Sequence, residues 1–195
     1  MTEIAHTEHR DYVGAKLGMW FFLFTEVLLF GGMFLVYSVY REVNSADFHE
    51  AGMEMNVVIG AVNTIILLTS SLTMALSISA IKKGAKNISV LLQLATVLLG
   101  VAFLVNKYFE WGAELRAGHY PLSDNFFQLY YVLTGIHLLH VLVALVVVAY
   151  LWRTAGKVRN LPTARQLRFI ENGASYWHMV DLIWLGLFAL FYLTS

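Results

Sequence analysis

Five long apolar runs, separated by short polar segments, organise this chain: residues 17–40, 57–81, 88–111, 129–152 and 174–193. A helix needs about 20 apolar residues to cross the hydrocarbon core of a bilayer, and each run meets that length. The intervals are rich in Gly, Asn, Asp, Lys and Arg, and none reads as a long linker, a low-complexity tract or a repeat. The pattern predicts an all-α polytopic membrane protein: one domain over residues 1–195, with five transmembrane helices in one bundle. The first run does not read as a cleavable signal peptide. It is too long, and the residues before it mix both charge signs.

Composition narrows the chemistry. Of 195 residues, 58% are hydrophobic and 13% charged, about half the charged share of a soluble domain. There are no cysteines, which excludes disulfides, thiolate metal sites, covalently attached haem and a cysteine nucleophile. Basic and acidic residues number 13 each, a balance that gives no reason to expect nucleic acid as a partner. Their distribution is uneven. Arg10, Lys16, Lys82, Lys83, Lys86, Arg153, Lys157, Arg159, Arg165 and Arg168 fall on the side that holds the N-terminus, and only Arg41 and Arg116 on the other. The positive-inside rule then predicts a cytoplasmic N-terminus and an outer C-terminus. Glu42, Asp47, Glu50 and Glu54 crowd the first outer loop, as a solvated loop or as a docking surface for a basic partner. Trp20, Tyr37, Tyr40, Trp111, Tyr150, Trp152 and Tyr192 lie near span ends and read as interface anchors or as lipid-facing packing.

Ionisable side chains inside a bilayer cost a few kcal/mol each, so each one in a span needs an interior position and a partner. Glu26 lies nine residues into the first span, roughly 13–14 Å deep at 1.5 Å per residue, and has no charged neighbour one turn away. His137 and His140 share a helix face, as do His178 and Asp181. Glu26, His140, His178 and Asp181 fall at similar depths, so one membrane-embedded polar cluster joining three helices, with His137 nearby, is the expectation. The residues leave three roles open for it: a satisfied interhelical network, proton conduction, and metal or haem ligation. Lys107 and Glu110, three apart near the outer end of the third span with Glu114 a turn beyond, read as an interfacial ion pair; Asn63 reads as a buried amide bonding across helices. No Ser–His–Asp set, phosphate loop or zinc spacing appears.

Several of these residues sit in segments that resemble subunit III of the haem–copper terminal oxidases. The run from Glu171 through Tyr176, Trp177, His178, Met179, Val180 and Asp181 is similar to that family's last helix, with Met179 where Phe is usual. Phe24-Thr-Glu-Val-Leu-Leu-Phe resembles its first carboxylate-bearing helix, and Thr134-Gly-Ile-His-Leu-Leu-His-Val its paired-histidine helix. Asn63-Thr-Ile-Ile-Leu-Leu, Tyr108-Phe-Glu and Arg165-Gln-Leu-Arg-Phe match further segments in order. The resemblance covers residues 15–195 and implies a helical bundle with no catalytic centre and no cofactor of its own. Haems and copper would lie in partner subunits I and II of a complex that takes electrons from cytochrome c or quinol, reduces oxygen to water and pumps protons. It implies a role in proton uptake and durability, Glu26 as the bundle's membrane carboxylate, and bound phospholipid, with Arg165 and Arg168 as headgroup candidates. It also implies the bacterial cytoplasmic (inner) membrane. The family's longer form has seven helices, and the first two have no counterpart here. Glu26 and Glu171 resemble the cytochrome c branch more than the quinol branch, so the resemblance implies an aa3-type cytochrome c oxidase, with a quinol oxidase or a related nitric-oxide-metabolism complex as the alternative. Two other functions stay open on residues alone. One is a membrane haem b carrier using His137 or His140 with His178; the other is a small transporter, though no span contains proline and no inverted repeat is visible.

Overall fold

A computed structural model describes residues 2–157 and 162–193, with side chains over 14–156 and 162–193. His6, His9, Arg10, Lys157 and Arg159 lie outside the described side chains. The described residues form α1 (Thr2–Val43), α2 (Ser45–Met53), α3 (Val57–Lys82), α4 (Lys86–Ala117), α5 (Asn125–Lys157) and α6 (Ala164–Phe188), the last continuing as a π-helical turn over Ala189–Leu193. Among the described residues five stretches are long and apolar enough to cross a membrane: Gly14–Val43, Val57–Lys82, Lys86–Ala117, Asn125–Gly156 and Ala164–Leu193. The end of the bundle that holds the start of α1, the α3–α4 turn, the end of α5 and the start of α6 is termed the basic end; α2 and the α4–α5 loop lie at the far end.

Local chemistry sets the helix boundaries. Asn56 caps α3 by accepting from the Ile59 amide at 3.2 Å. Gly118, at φ +97°, closes α4 in the left-handed conformation that glycine adopts without strain. The last helix starts ten residues earlier than its apolar run. Thr163 and Gln166 form a reciprocal capping box, Thr163 Oγ1 accepting from the Gln166 amide (3.3 Å) and Gln166 Oε1 from the Thr163 amide (3.0 Å). The polar first turns of α6 are therefore helix outside the apolar run. Hydropathy also passes over α2, a nine-residue helix that tucks Phe48 and Gly52 into the core.

The interior does not follow hydrophobicity. On α3 the buried positions are Gly60, Asn63, Leu67, Ser70, Met74, Ser77 and Ile81; on α4 they are Ser89, Gln93, Thr96, Gly100, Phe103, Lys107, Glu110 and Glu114. Both sets alternate steps of three and four, the seam of left-handed helix packing. In lipid a leucine is as well solvated outside as inside, so small and polar residues mark the interface. The buried face of α5 repeats the spacing through Tyr130, Thr134, His137, Val141 and Ala144. By contrast α1, among its described side chains, buries only Phe30 and Tyr37 beyond nine-tenths and presents Trp20, Phe21, Phe24, Leu28 and Leu35 outward.

Tyr37 and Tyr192 are core residues, each 2% exposed, which corrects the reading of them as interface anchors. Tyr37 donates to the Leu190 carbonyl at 3.0 Å, and Tyr192 turns inward on the π-helical turn, which redirects side chains at the end of α6. Trp20, Tyr40 and Tyr150 do face outward.

Candidate functional site

The membrane-embedded polar residues divide into separate groups. Glu26 of α1 meets His140 of α5, Oε2 to Nε2 at 2.9 Å, and each is about 15% exposed at the bundle surface. His140 Nδ1 lies 2.7 Å from the Ile136 carbonyl, which can only accept, so Nδ1 carries a hydrogen. Nε2 then either accepts from a protonated Glu26 or, as an imidazolium, donates to its carboxylate. In both states one proton sits on the Glu26–His140 line and the pair is neutral overall. That neutrality is what a bilayer requires of a carboxyl at this depth.

His178 does not pair with Asp181. Its Nδ1 lies 2.5 Å from Ser71 Oγ on α3. Three residues apart, the two side chains share a face but diverge: His178 is half-buried, whereas Asp181 points inward and is 5% exposed. The Asp181 carboxyl lies against the Ser70 and Ser71 side chains of α3. Beside them Trp177 Nε1 donates to Ser70 Oγ at 3.1 Å. Among the described residues no hydrogen bond or ion pair joins Glu26 and His140 to His178 or Asp181, so the single cluster expected from depth is two sites. His137 stands apart from both. It is fully buried, stacked on Trp184 at 5.5 Å between ring centroids.

The most densely bonded site is one the sequence placed at the interface. Lys107 and Glu110 form an ion pair at 2.9 Å, but in the interior, 0% and 2% exposed. Lys107 Nζ donates to Glu110 Oε1 (2.9 Å), to the Tyr130 hydroxyl (2.9 Å) and to the Tyr192 hydroxyl (3.0 Å). Tyr130 donates onward to Glu110 Oε1 at 2.8 Å, Tyr192 does the same, and Asn63 Nδ2 reaches Oε2 at 3.4 Å. Three ammonium hydrogens meet three acceptors and the carboxylate accepts four donors, so the count closes with both groups ionised. The Trp184 face, 5.0 Å from Nζ, adds a cation–π contact. Residues from α3, α4, α5 and the end of α6 thus converge on one point. Tyr192 gets there because Gly60 leaves room: a Cβ on Gly60 would lie 2.8 Å from Tyr192 Cδ1. Tyr130 and Tyr192 went unrecognised as members. The available signal was the buried spacing itself, which puts Lys107 and Glu110 on the same seam as Gly100 and Phe103.

Toward the far end His119 lies between two carboxylates, Nδ1 2.8 Å from Glu114 and Nε2 2.8 Å from Glu54. At the basic end, Lys82 and Glu171 pair at 2.6 Å across α3 and α6. They flank a groove of about 710 Å³ whose mouth carries Lys16 and Arg168 and whose deeper wall includes Leu23, Val27 and His178. A neighbouring hollow of about 940 Å³ is lined by Arg165, Arg168, Tyr150 and Thr154. Among the described residues no group of three or more His, Asp or Glu is arranged to hold a metal ion.

The sequence matches the family model for cytochrome c oxidase subunit III over residues 2–195. It is 34% identical to cytochrome c oxidase subunit 3 of Synechocystis, over 97% of this chain and 79% of that protein. It is 31% identical to cytochrome bo(3) ubiquinol oxidase subunit 3 of Pseudomonas aeruginosa, over 98% and 91%. A third relative, haem–copper oxidase subunit I+III of Aeropyrum pernix, is 31% identical over 96% of this chain, which spans 24% of that longer protein. With five spanning helices and a match that runs through all of them, the chain belongs to the cytochrome c oxidase subunit III family.

Proposed function

We propose that this chain is the non-catalytic subunit III of a proton-pumping aa3-type cytochrome c oxidase, and that it sustains proton uptake and the durability of the catalytic subunit. Haems and copper reside in partner subunits I and II. The observation that carries the reading is the neutral Glu26–His140 pair, which keeps one shared proton at mid-membrane depth on a surface available to a partner. The N-terminus lies in the cytoplasm, in keeping with the charge asymmetry, and the protein resides in the bacterial cytoplasmic membrane. Phospholipid occupies the basic-end hollows, with Arg165 and Arg168 facing the headgroup and the apolar walls facing the acyl chains.

Two other readings find less support. His140 spends both ring nitrogens, on Glu26 and on Ile136, which leaves it poorly disposed as an axial haem ligand, and His137 is enclosed by the Trp184, Phe30 and Phe103 rings. No described span carries a proline break of the kind transporters use. A quinol oxidase keeps the same place for this chain, and the Pseudomonas relative bears that name. A subunit II with a Cys/His/Met copper set means cytochrome c as donor; one without it means quinol.

The test is a tagged copy purified in mild detergent. Haem bands in the reduced-minus-oxidised spectrum that leave when harsher detergent strips this chain support the reading, and a haem-free preparation counts against it. Glu26→Gln keeps a hydrogen bond to His140 but cannot share its proton. The variant is expected to assemble and to lose sustained turnover or proton pumping, read by oxygen consumption and proton pulses in liposomes. Wild-type behaviour would remove the proton role from Glu26. Because the chain has no cysteine, single cysteines introduced at each end report orientation by labelling from either side.

A further inference from the structure

His137 is a fully buried imidazole with no protein partner: neither Nδ1 nor Nε2 has a hydrogen-bonding neighbour among the described residues. A neutral ring carries one N–H and one lone pair, and both need partners. Leaving a buried donor or acceptor unmet is costly, and buried polar groups in folded proteins are satisfied by protein or by ordered water. The surroundings constrain what fits. Trp184 covers a ring face at an interplanar angle of 29°, and Phe30 and Phe103 approach edge-on at 6.5 and 5.9 Å between centroids. Such walls offer no anionic ligand, and the Trp184 ring that covers His137 also has the Lys107 ammonium 5.0 Å from its centroid. Both facts disfavour a cation. One polar neighbour has capacity to spare. Thr134, one turn earlier on the same face of α5, is fully buried and donates its hydroxyl hydrogen to the Tyr130 carbonyl at 2.5 Å. Its oxygen lone pairs remain available. An internal water needs two to four polar partners, and a ring nitrogen and the Thr134 oxygen, three residues apart, are the two that this face of α5 offers.

We propose that His137 is an internal water site: an ordered water, enclosed by Phe30, Phe103 and Trp184, hydrogen-bonds to the ring and is steadied by Thr134. The site belongs to the fold of this chain and does not depend on the donor of the complex or on the role of Glu26. It makes His137 an exchangeable polar centre inside the bundle, one helical turn along α5 from His140.

A cryo-EM map of the whole complex, at a resolution that shows ordered waters in the spans, tests it. The expected result is a solvent peak about 2.7–3.2 Å from Nδ1 or Nε2. A map that resolves internal waters elsewhere in this subunit but none at His137 overturns the assignment. In His137→Phe the peak is expected to vanish while Trp184 keeps its place. A peak that persists beside the phenylalanine would belong to Thr134 and would also overturn it. Should that variant fail to assemble, the wild-type map decides alone.

Discussion

Two polar sites in this bundle handle charge in opposite ways. At the Lys107–Glu110 centre each ionised group meets its full complement of partners, drawn from four elements, with no exposure to the surface. At the Glu26–His140 pair two groups share one proton, supported by one backbone carbonyl, at the bundle surface. The first arrangement is closed and fixed: a changed charge there leaves hydrogens or lone pairs stranded in low dielectric. The second offers its proton two positions, on the Glu26 oxygen or on the His140 nitrogen, and lies at the bundle surface. Partner count and exposure, rather than the presence of charge, separate a structural centre from one suited to handling protons.

The comparison is broken most forcefully at the closed centre. Lys107→Met leaves the Glu110 carboxylate without its counter-ion, and removing one partner of a buried pair costs about 3–5 kcal/mol. The expected result is loss of assembly or a large drop in the thermal midpoint of the complex in detergent. The double change Lys107→Met with Glu110→Leu should recover a substantial part, since the uncompensated charge goes too. A double variant as weak as the single one would show that the tyrosines, not the ions, hold the centre. Next in size is Gly60→Ala. Its new methyl meets the Tyr192 ring, and overpacking of this kind costs about 1–3 kcal/mol. Lys107 should lose its Tyr192 acceptor as the ring moves, which a structure of the variant would show directly.

At the open pair, Glu26→Gln should shift stability by less than about 1 kcal/mol, because a neutral hydrogen bond replaces the shared proton. Its effect belongs in turnover. A fall in stability comparable with Lys107→Met would erase the distinction between the two sites. The smallest effect is expected at Asp181. Its carboxyl lies against the Ser70 and Ser71 hydroxyls, which an asparagine can still meet with its amide oxygen, so Asp181→Asn should change the thermal midpoint little, within about 1 kcal/mol. Ser71→Ala, which takes a neighbour from both His178 and Asp181, should cost more than Asp181→Asn; the reverse order would mean that the carboxyl, not the hydroxyl, holds this site.

Length and hydropathy were enough for the five spans, because lipid admits only helices that satisfy their own backbone and those runs are long enough to cross. The Glu26, His137, His140, His178 and Asp181 positions were legible as unusual for the same reason: an ionisable residue in a span stands out against its surroundings. The partners were not. Depth along a span gives one coordinate of a side chain, and Glu26 and Asp181 fall at similar depths yet meet different helices, α5 and α3. Lys107 looked interfacial because it sits near the end of an apolar run, whereas its seam position turns it inward. The same ambiguity made Tyr192 an anchor by sequence and a core ligand by structure.

The chain's order of residues determined by itself that this is a five-span helical membrane protein, which side of it is basic, and which family its motifs resemble. These follow from local properties, namely transfer of each side chain into lipid and the spacing of residues along one helix. Only the tertiary structure decided that Glu26 meets His140, that His178 meets Ser71, and that Lys107, Glu110, Tyr130, Tyr192 and Asn63 form one centre. Those pairings depend on the rotation of each helix about its own axis. In a bilayer hydropathy does not set that rotation, because an apolar residue is equally content against lipid or protein; close packing at glycines and the demand that every buried polar atom find a partner do.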